Sequence, residues 1–137
     1  MPTHARLAGL VGVAVRCVRV TKDALDVRAL LREVDEARKA EGPASLVARM
    51  RARGLQREPR TPEERRRLAR TIAILDRVLM RSPNCYRRAL VRLAMDWQSA
   101  AEPLVLGLDV QGGSPSGHAW IEGAEAPAKD YDVEFRL

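Results

Sequence analysis

Aromatic side chains are scarce in this chain: one Phe, two Trp and two Tyr in 137 residues. Any core it forms must therefore be aliphatic, built mostly from Leu, Val, Ala and Ile. No aromatic residue interleaves with the arginines of REPRTPEERRRLAR (57–70), and Glu58, Glu63 and Glu64 interrupt them. Single-stranded nucleic acid is bound by basic grooves with aromatic stacking platforms, so this stretch reads as a solvated helix face and nucleic acid is not an expected partner. Cysteine is equally sparse. Cys17 and Cys85 sit in unlike contexts and do not resemble a disulfide framework. Both read as reduced thiols of a cytoplasmic protein. With His4 and His118 as the only histidines, no zinc site of recognisable spacing forms, and no metal or cofactor is expected. Long apolar runs are missing too. LAGLVGVAV (7–15) is the longest, well short of the ~20 residues that span a bilayer. Arg16 and Arg19 follow it with no small-residue cleavage site, so it reads as a buried helix opening the domain rather than as a signal peptide or a membrane span. There is no internal repeat and no low-complexity tract.

What is present fits one soluble globular domain over residues 1–137, with 46% apolar and 31% charged residues. The net charge of +6 is uneven. Arginines crowd residues 49–70, whereas Lys129 is the single basic residue between Glu102 and Asp132. The two halves are therefore expected to meet different partners. Arg57, Arg60, Arg65, Arg66, Arg67 and Arg70 are expected to offer a docking surface to an acidic partner.

Periodicity predicts helices first and strands last. Leu25, Leu30, Leu31, Val34 and Ala37 follow helical spacing over 24–40, and Gly42-Pro43 breaks the pattern. A short helix is expected over 44–53 and a loop over 55–61. Thr61-Pro62-Glu63-Glu64 is a strong helix start, with Leu68, Ile72, Leu75 and Leu79 on one face to about Met80. Ser82-Pro83-Asn84 ends that helix and opens another from Cys85 to about Trp97. Strands are expected at 103–110, 118–123 and 129–135 around the turn-rich loop QGGSPSG (111–117), whose Gly112, Gly113 and Gly117 give freedom beside His118. The fold class is thus α+β, N-terminal helices followed by a small antiparallel sheet.

Cys85 stands at a helix start, where free N–H groups and the positive dipole end stabilise a thiolate and can donate to an oxyanion. His118 opens a strand beyond a Gly-rich loop, from which an imidazole can take the thiol proton. A third group must fix that imidazole. Asp130 and Asp132 share a face on the expected third strand, and Glu122 shares the face of His118 on the second. Spacing along a strand does not choose among them.

Cys85 in PNCYRRALVRLA, then LVLGLDV, then GHAWIEG and a downstream Asp together resemble the small transglutaminase-like domain of lasso-peptide maturation, the B-protein C-terminal type. The resemblance covers about residues 65–135, and HAWIE is its most specific part. Tyr86 departs from it, standing where an aliphatic residue is commoner, as does the loop before His118, which lacks the usual aromatic. The resemblance implies a papain-like cysteine hydrolase core over 61–137 behind a helical part over 1–60. It also implies a Cys85, His118, Asp130 triad, the choice of Asp130 over Asp132 resting on the family's His-to-Asp spacing. The activity implied is that of a leader peptidase acting on a ribosomally made precursor peptide. Its implied partners are a small leader-recognition protein and an ATP-dependent lasso cyclase. A transglutaminase-like acyl transferase or amidase would use the same triad, and a basic nucleic-acid-binding or scaffold module with an inert fold is the remaining alternative.

Overall fold

A computed structural model describes the backbone of residues 3–111, 113–114, 116–125, 127 and 129–137, with side chains from residue 12 onward. Among these residues five helices precede three strands: α1 (Thr3–Ala40), α2 (Pro43–Gly54), α3 (Pro62–Leu79), α4 (Cys85–Met95), α5 (Trp97–Ala101), β1 (Leu104–Asp109), β2 (Ser116–Ile121) and β3 (Val133–Arg136). The α+β class expected from the sequence is the class observed.

α1 is one continuous helix about 57 Å long at ~1.5 Å per residue. Among the described side chains, the apolar stripe that packs lies in its second half: Val27, Leu30, Leu31 and Val34 are buried. The expectation of a buried opening helix fails where it can be checked, because Val13 and Val15 are exposed, as is Val18 beyond them. Among the described residues, nothing covers these three valines. Leu25, expected in the core, is 60% exposed, and Val27 takes the inward place. The first residues of the 7–15 run, together with His4, lie outside the described side chains.

α2 starts at Gly42 and Pro43 and ends at Gly54. A Cβ at Gly54 would stand 1.8 Å from the Leu93 carbonyl oxygen, so glycine is what lets α2 lie against α4. α3 begins with a full capping box: the Glu64 N–H donates to Thr61 Oγ1 and the Thr61 N–H to the Glu64 carboxylate. Leu68 and Ile72 reach the core from α3, while Leu79, expected beside them, is 40% exposed at its end. The sheet order is β2-β1-β3, all antiparallel. Leu104 on β1 and Ala119 and Ile121 on β2 join α1–α4 in one hydrophobic cluster. Strand alternation then puts Val105, Gly107, His118 and Trp120 on the other face.

The third strand differs from its expected span. It covers 133–136, so Lys129 to Asp132 form the approach to it. The shared strand face assigned to Asp130 and Asp132 does not exist. β2 ends at Ile121, and Glu122 begins the turn that follows. Gly113 has φ +80°, a left-handed conformation that suits glycine. Gly117 is instead a strand residue whose added Cβ would lie 3.0 Å from Leu108 Cδ2. Gly112 lies outside the described residues.

Candidate active site

The start of α4 is held by buried charge. Asn84 caps it, its Oδ1 accepting from the Arg87 N–H at 2.9 Å. The Asn84 N–H in turn donates to Asp76 Oδ2 at 3.0 Å. Asp76, on α3, is fully buried and also accepts from Arg87 Nε at 2.7 Å. The rest of the Arg87 guanidinium donates to Asp35 at 2.9 Å and to the Ser82 carbonyl at 2.6 Å. Burial pushes the Asp35 carboxyl up, but its bonds from Arg87 and Arg38 outweigh this and hold it below its ordinary range. Three helices are thereby tied to the residue just before Cys85. Sequence reasoning missed this network. Asp76 broke the apolar face of α3 and Arg87 sat among solvent-like arginines, and no local pattern pairs them.

Cys85 is partly buried against the core cluster. The Ala119 N–H donates to its Sγ at 3.3 Å. β2 is an edge strand, and this contact gives one of its outward N–H groups a partner. Arg87 and Arg88 N–H both end on Asn84. The N–H groups of Cys85 and Tyr86 meet no acceptor among the described residues, leaving two donors beside the sulfur.

His118 lines the same cavity as Cys85, a space of about 110 Å³. Its ring stacks with Trp120 at 5.9 Å and with Tyr131 at 6.4 Å between centroids, and these two rings stack at 5.5 Å. Gly107 makes room for them, since a Cβ there would be 2.6 Å from the Tyr131 ring and 2.8 Å from Trp120. Among the described residues the imidazole makes no hydrogen bond, to Cys85 or to a carboxylate. The thiol and the imidazole thus meet the cavity from the two sides of β2.

Asp130 is exposed and is not among the described residues that line the cavity. Its neighbours are anchored. Lys129 pairs with Asp109 and sits 5.4 Å above the Tyr131 ring, and Tyr131 belongs to the stack. Asp132 accepts from the Val110 N–H at 2.9 Å and from both Gln111 donors at 3.2 Å. Glu122 accepts from Arg136 at 3.2 Å rather than from His118. Cys17 is exposed on α1, remote from this site in the chain. No group of His, Cys, Asp or Glu among the described residues has metal-binding geometry.

The arginine-rich stretch is less open than its composition implied. Arg60 is buried, donating twice to Asp23 and once to the Met95 carbonyl. Arg65 pairs with buried Asp96 at 2.9 Å, and Arg57 and Arg67 have partners in Asp26 and Glu63. A docking face made of all six arginines is therefore corrected: Arg60 and Arg65 join elements together, and Arg66 and Arg70 are the exposed members without an ion pair among the described residues. Among the described residues no helix is long and apolar enough to cross a membrane.

The sequence model of the transglutaminase-like superfamily matches residues 10–136, both the helical part and the sheet. Neither a curated protein nor a solved structure matches the chain.

Proposed function

The chain belongs to the transglutaminase-like superfamily, and from this we propose that it is a cysteine peptidase that removes the leader from a ribosomally made precursor during lasso-peptide maturation. The observation that carries the reading is the capped start of α4, which sets the Cys85 sulfur in one cavity with His118 and beside two unused N–H groups. In the proposed reaction His118 takes the thiol proton and the thiolate attacks the scissile carbonyl. The N–H groups of Cys85 and Tyr86 receive the developing oxyanion. His118 then protonates the leaving amine, and the acyl group remains on Sγ as a thioester. Water activated by the same imidazole releases it and restores the thiol. Asp130 is the proposed orienting acid. It adjoins Tyr131, whose ring stacks with the imidazole at 6.4 Å between centroids, so its carboxylate is one residue away from a group already beside His118.

The precursor peptide, a small leader-recognition protein and an ATP-dependent cyclase are the proposed partners. The superfamily membership equally supports passing the acyl group to an amine, which would make the protein an acyl transferase. The test is cleavage of a precursor peptide, with and without an added amine. Cys85→Ala abolishes turnover and leaves the fold intact, whereas Cys17→Ala leaves it nearly unchanged. Asp130→Asn lowers turnover far more than Asp132→Asn. Turnover that survives Cys85→Ala refutes the nucleophile, and a larger loss at Asp132 refutes the choice of acid.

A further inference from the structure

The cavity shared by Cys85 and His118 runs on along α4. Cys85, Arg88, Ala89 and Arg92 stand at i, i+3, i+4 and i+7, one stripe of the helix, and all four line it. The facing wall is small and apolar, made by Ala69, Ile72 and Ala73 of α3. Its far end is charged. Arg92 donates to Glu125 at 2.9 Å; the arginine side chain is 13% exposed and the glutamate 52%. The guanidinium is therefore part of the wall, and the carboxylate reaches it from the rim, in the turn after β2. Arg88 meets its nearest carboxylate, Asp76, only at 3.7 Å, and Asp76 is already bonded to Arg87 and to the Asn84 N–H. Two guanidinium groups against one rim carboxylate leave the lining positive beside the thiol.

A helix rises ~1.5 Å per residue, so Arg88 lies about 4–5 Å and Arg92 about 10 Å beyond Cys85 along the axis. An extended peptide advances ~3.3 Å per residue. A carboxylate one to three residues from a carbonyl held at Sγ thus falls within reach of both. We infer that the site selects acidic acyl substrates, peptides bearing a carboxylate within a few residues of the attacked carbonyl. Arg88 receives that carboxylate, and Arg92 joins it once Glu125 is displaced. Glu125 occupies the Arg92 subsite as an internal stand-in for the substrate group. The inference deepens the peptidase reading and rests on it for the acyl chemistry, while the charge preference rests on the cavity alone.

The test separates the two. In a Cys17→Ala background, Cys85 is alkylated by iodoacetate or by iodoacetamide. Each reaction forms one C–S bond and expels iodide, and the reagents differ in charge. Arg88→Gln lowers the iodoacetate-to-iodoacetamide rate ratio about fivefold, the effect of one partly exposed charge pair. Glu125→Gln, an exposed change that leaves Arg92 unoccupied, raises it. Both differences shrink at ~1 M salt, where screening acts within about 3 Å. On the peptidase reading, a precursor whose glutamate near the cleaved bond is changed to Gln is processed more slowly. A rate ratio that neither variant changes overturns the inference and leaves the peptidase reading standing. A ratio that responds as stated in a protein that cleaves no precursor keeps the acid-selecting cavity and removes the peptidase reading.

Discussion

The two sides of the site are held by different forces. On the helix side, Cys85 follows a residue fixed by a buried network of Asp76, Arg87, Asp35 and Asn84. On the sheet side, His118 rests in a stack of rings near the protein surface, and exposed Asp130 is placed only through its neighbours. A buried charge network has few alternative arrangements, because a charge left unpaired there is costly. A stack of rings over a glycine tolerates small slides at low cost. The nucleophile side is thus rigid by construction, and the base side is where geometry can adjust to a substrate.

The strongest way to break this contrast is at Asp76. Asp76→Ala strips Arg87 and the Asn84 N–H of their buried acceptor, and loss of one member of such a pair costs about 3–5 kcal/mol. Urea denaturation should show that loss, with faster, less selective alkylation of Cys85 as the helix start loosens. A drop below ~1 kcal/mol would mean that the network is not what fixes α4. Next in size is Gly107→Ala. Its Cβ would stand 2.6 Å from Tyr131, and overpacking of this kind costs about 1–3 kcal/mol. Here the diagnostic readout is turnover. Turnover should fall as the imidazole leaves its stack, while Cys85 alkylation by a neutral reagent stays near the parent rate. Unchanged turnover would show that the stack does not position His118.

The helix side should also be acid-sensitive. Asp35 is held below its ordinary value of 3.8 when folded, despite the upward push of burial, by Arg87 and Arg38. A carboxyl with a depressed folded pKa contributes stability that is fully present above its unfolded value and is lost as pH falls through the folded one. Thermal melts should therefore fall in temperature as pH drops below about 4. Asp35→Asn should be less stable at pH 7 and show a flatter decline. An identical acid limb in the variant would show that other carboxylates carry it.

Much of this was legible in the sequence, and the failures have physical causes. Caps and breakers are local, so Thr61, Pro62, Glu64 and the Gly42-Pro43 break marked their helices correctly. The helix start at Cys85 was legible for the same reason, through Asn84. Burial is not local. The apolar run at 7–15 has the composition of a core helix, yet among its described side chains Val13 and Val15 face solvent. Arg60 and Arg65 read as surface charge, and both, like Arg87, have partners more than ten residues away in the chain. The segment 129–132 alternates like a strand, but Lys129, Tyr131 and Asp132 are held instead by Asp109, the ring stack and the Val110–Gln111 backbone. Which carboxylate serves His118 depends on that three-dimensional anchoring, which period-2 spacing does not encode.

The smallest predicted effect concerns a stranded hydroxyl on the helix side. Tyr86 directly follows Cys85, and its hydroxyl is buried with no hydrogen-bond partner among the described residues. Burial, with Glu41 adding to it, pushes the phenol above its ordinary 10.0, so it stays neutral across the working range. A buried hydroxyl without a partner loses its water and gains nothing in exchange. Tyr86→Phe keeps the ring and removes the stranded oxygen. It should raise unfolding stability by about 0.5–1 kcal/mol, equally at pH 6 and pH 9, because no titration is involved. The Tyr86 N–H, proposed to serve the oxyanion, is untouched, so turnover should hold. A loss of turnover with stability raised would instead give the hydroxyl a part in the reaction. A loss of stability would mean that the hydroxyl has a partner in solution, and the stranded oxygen would not be what limits this side.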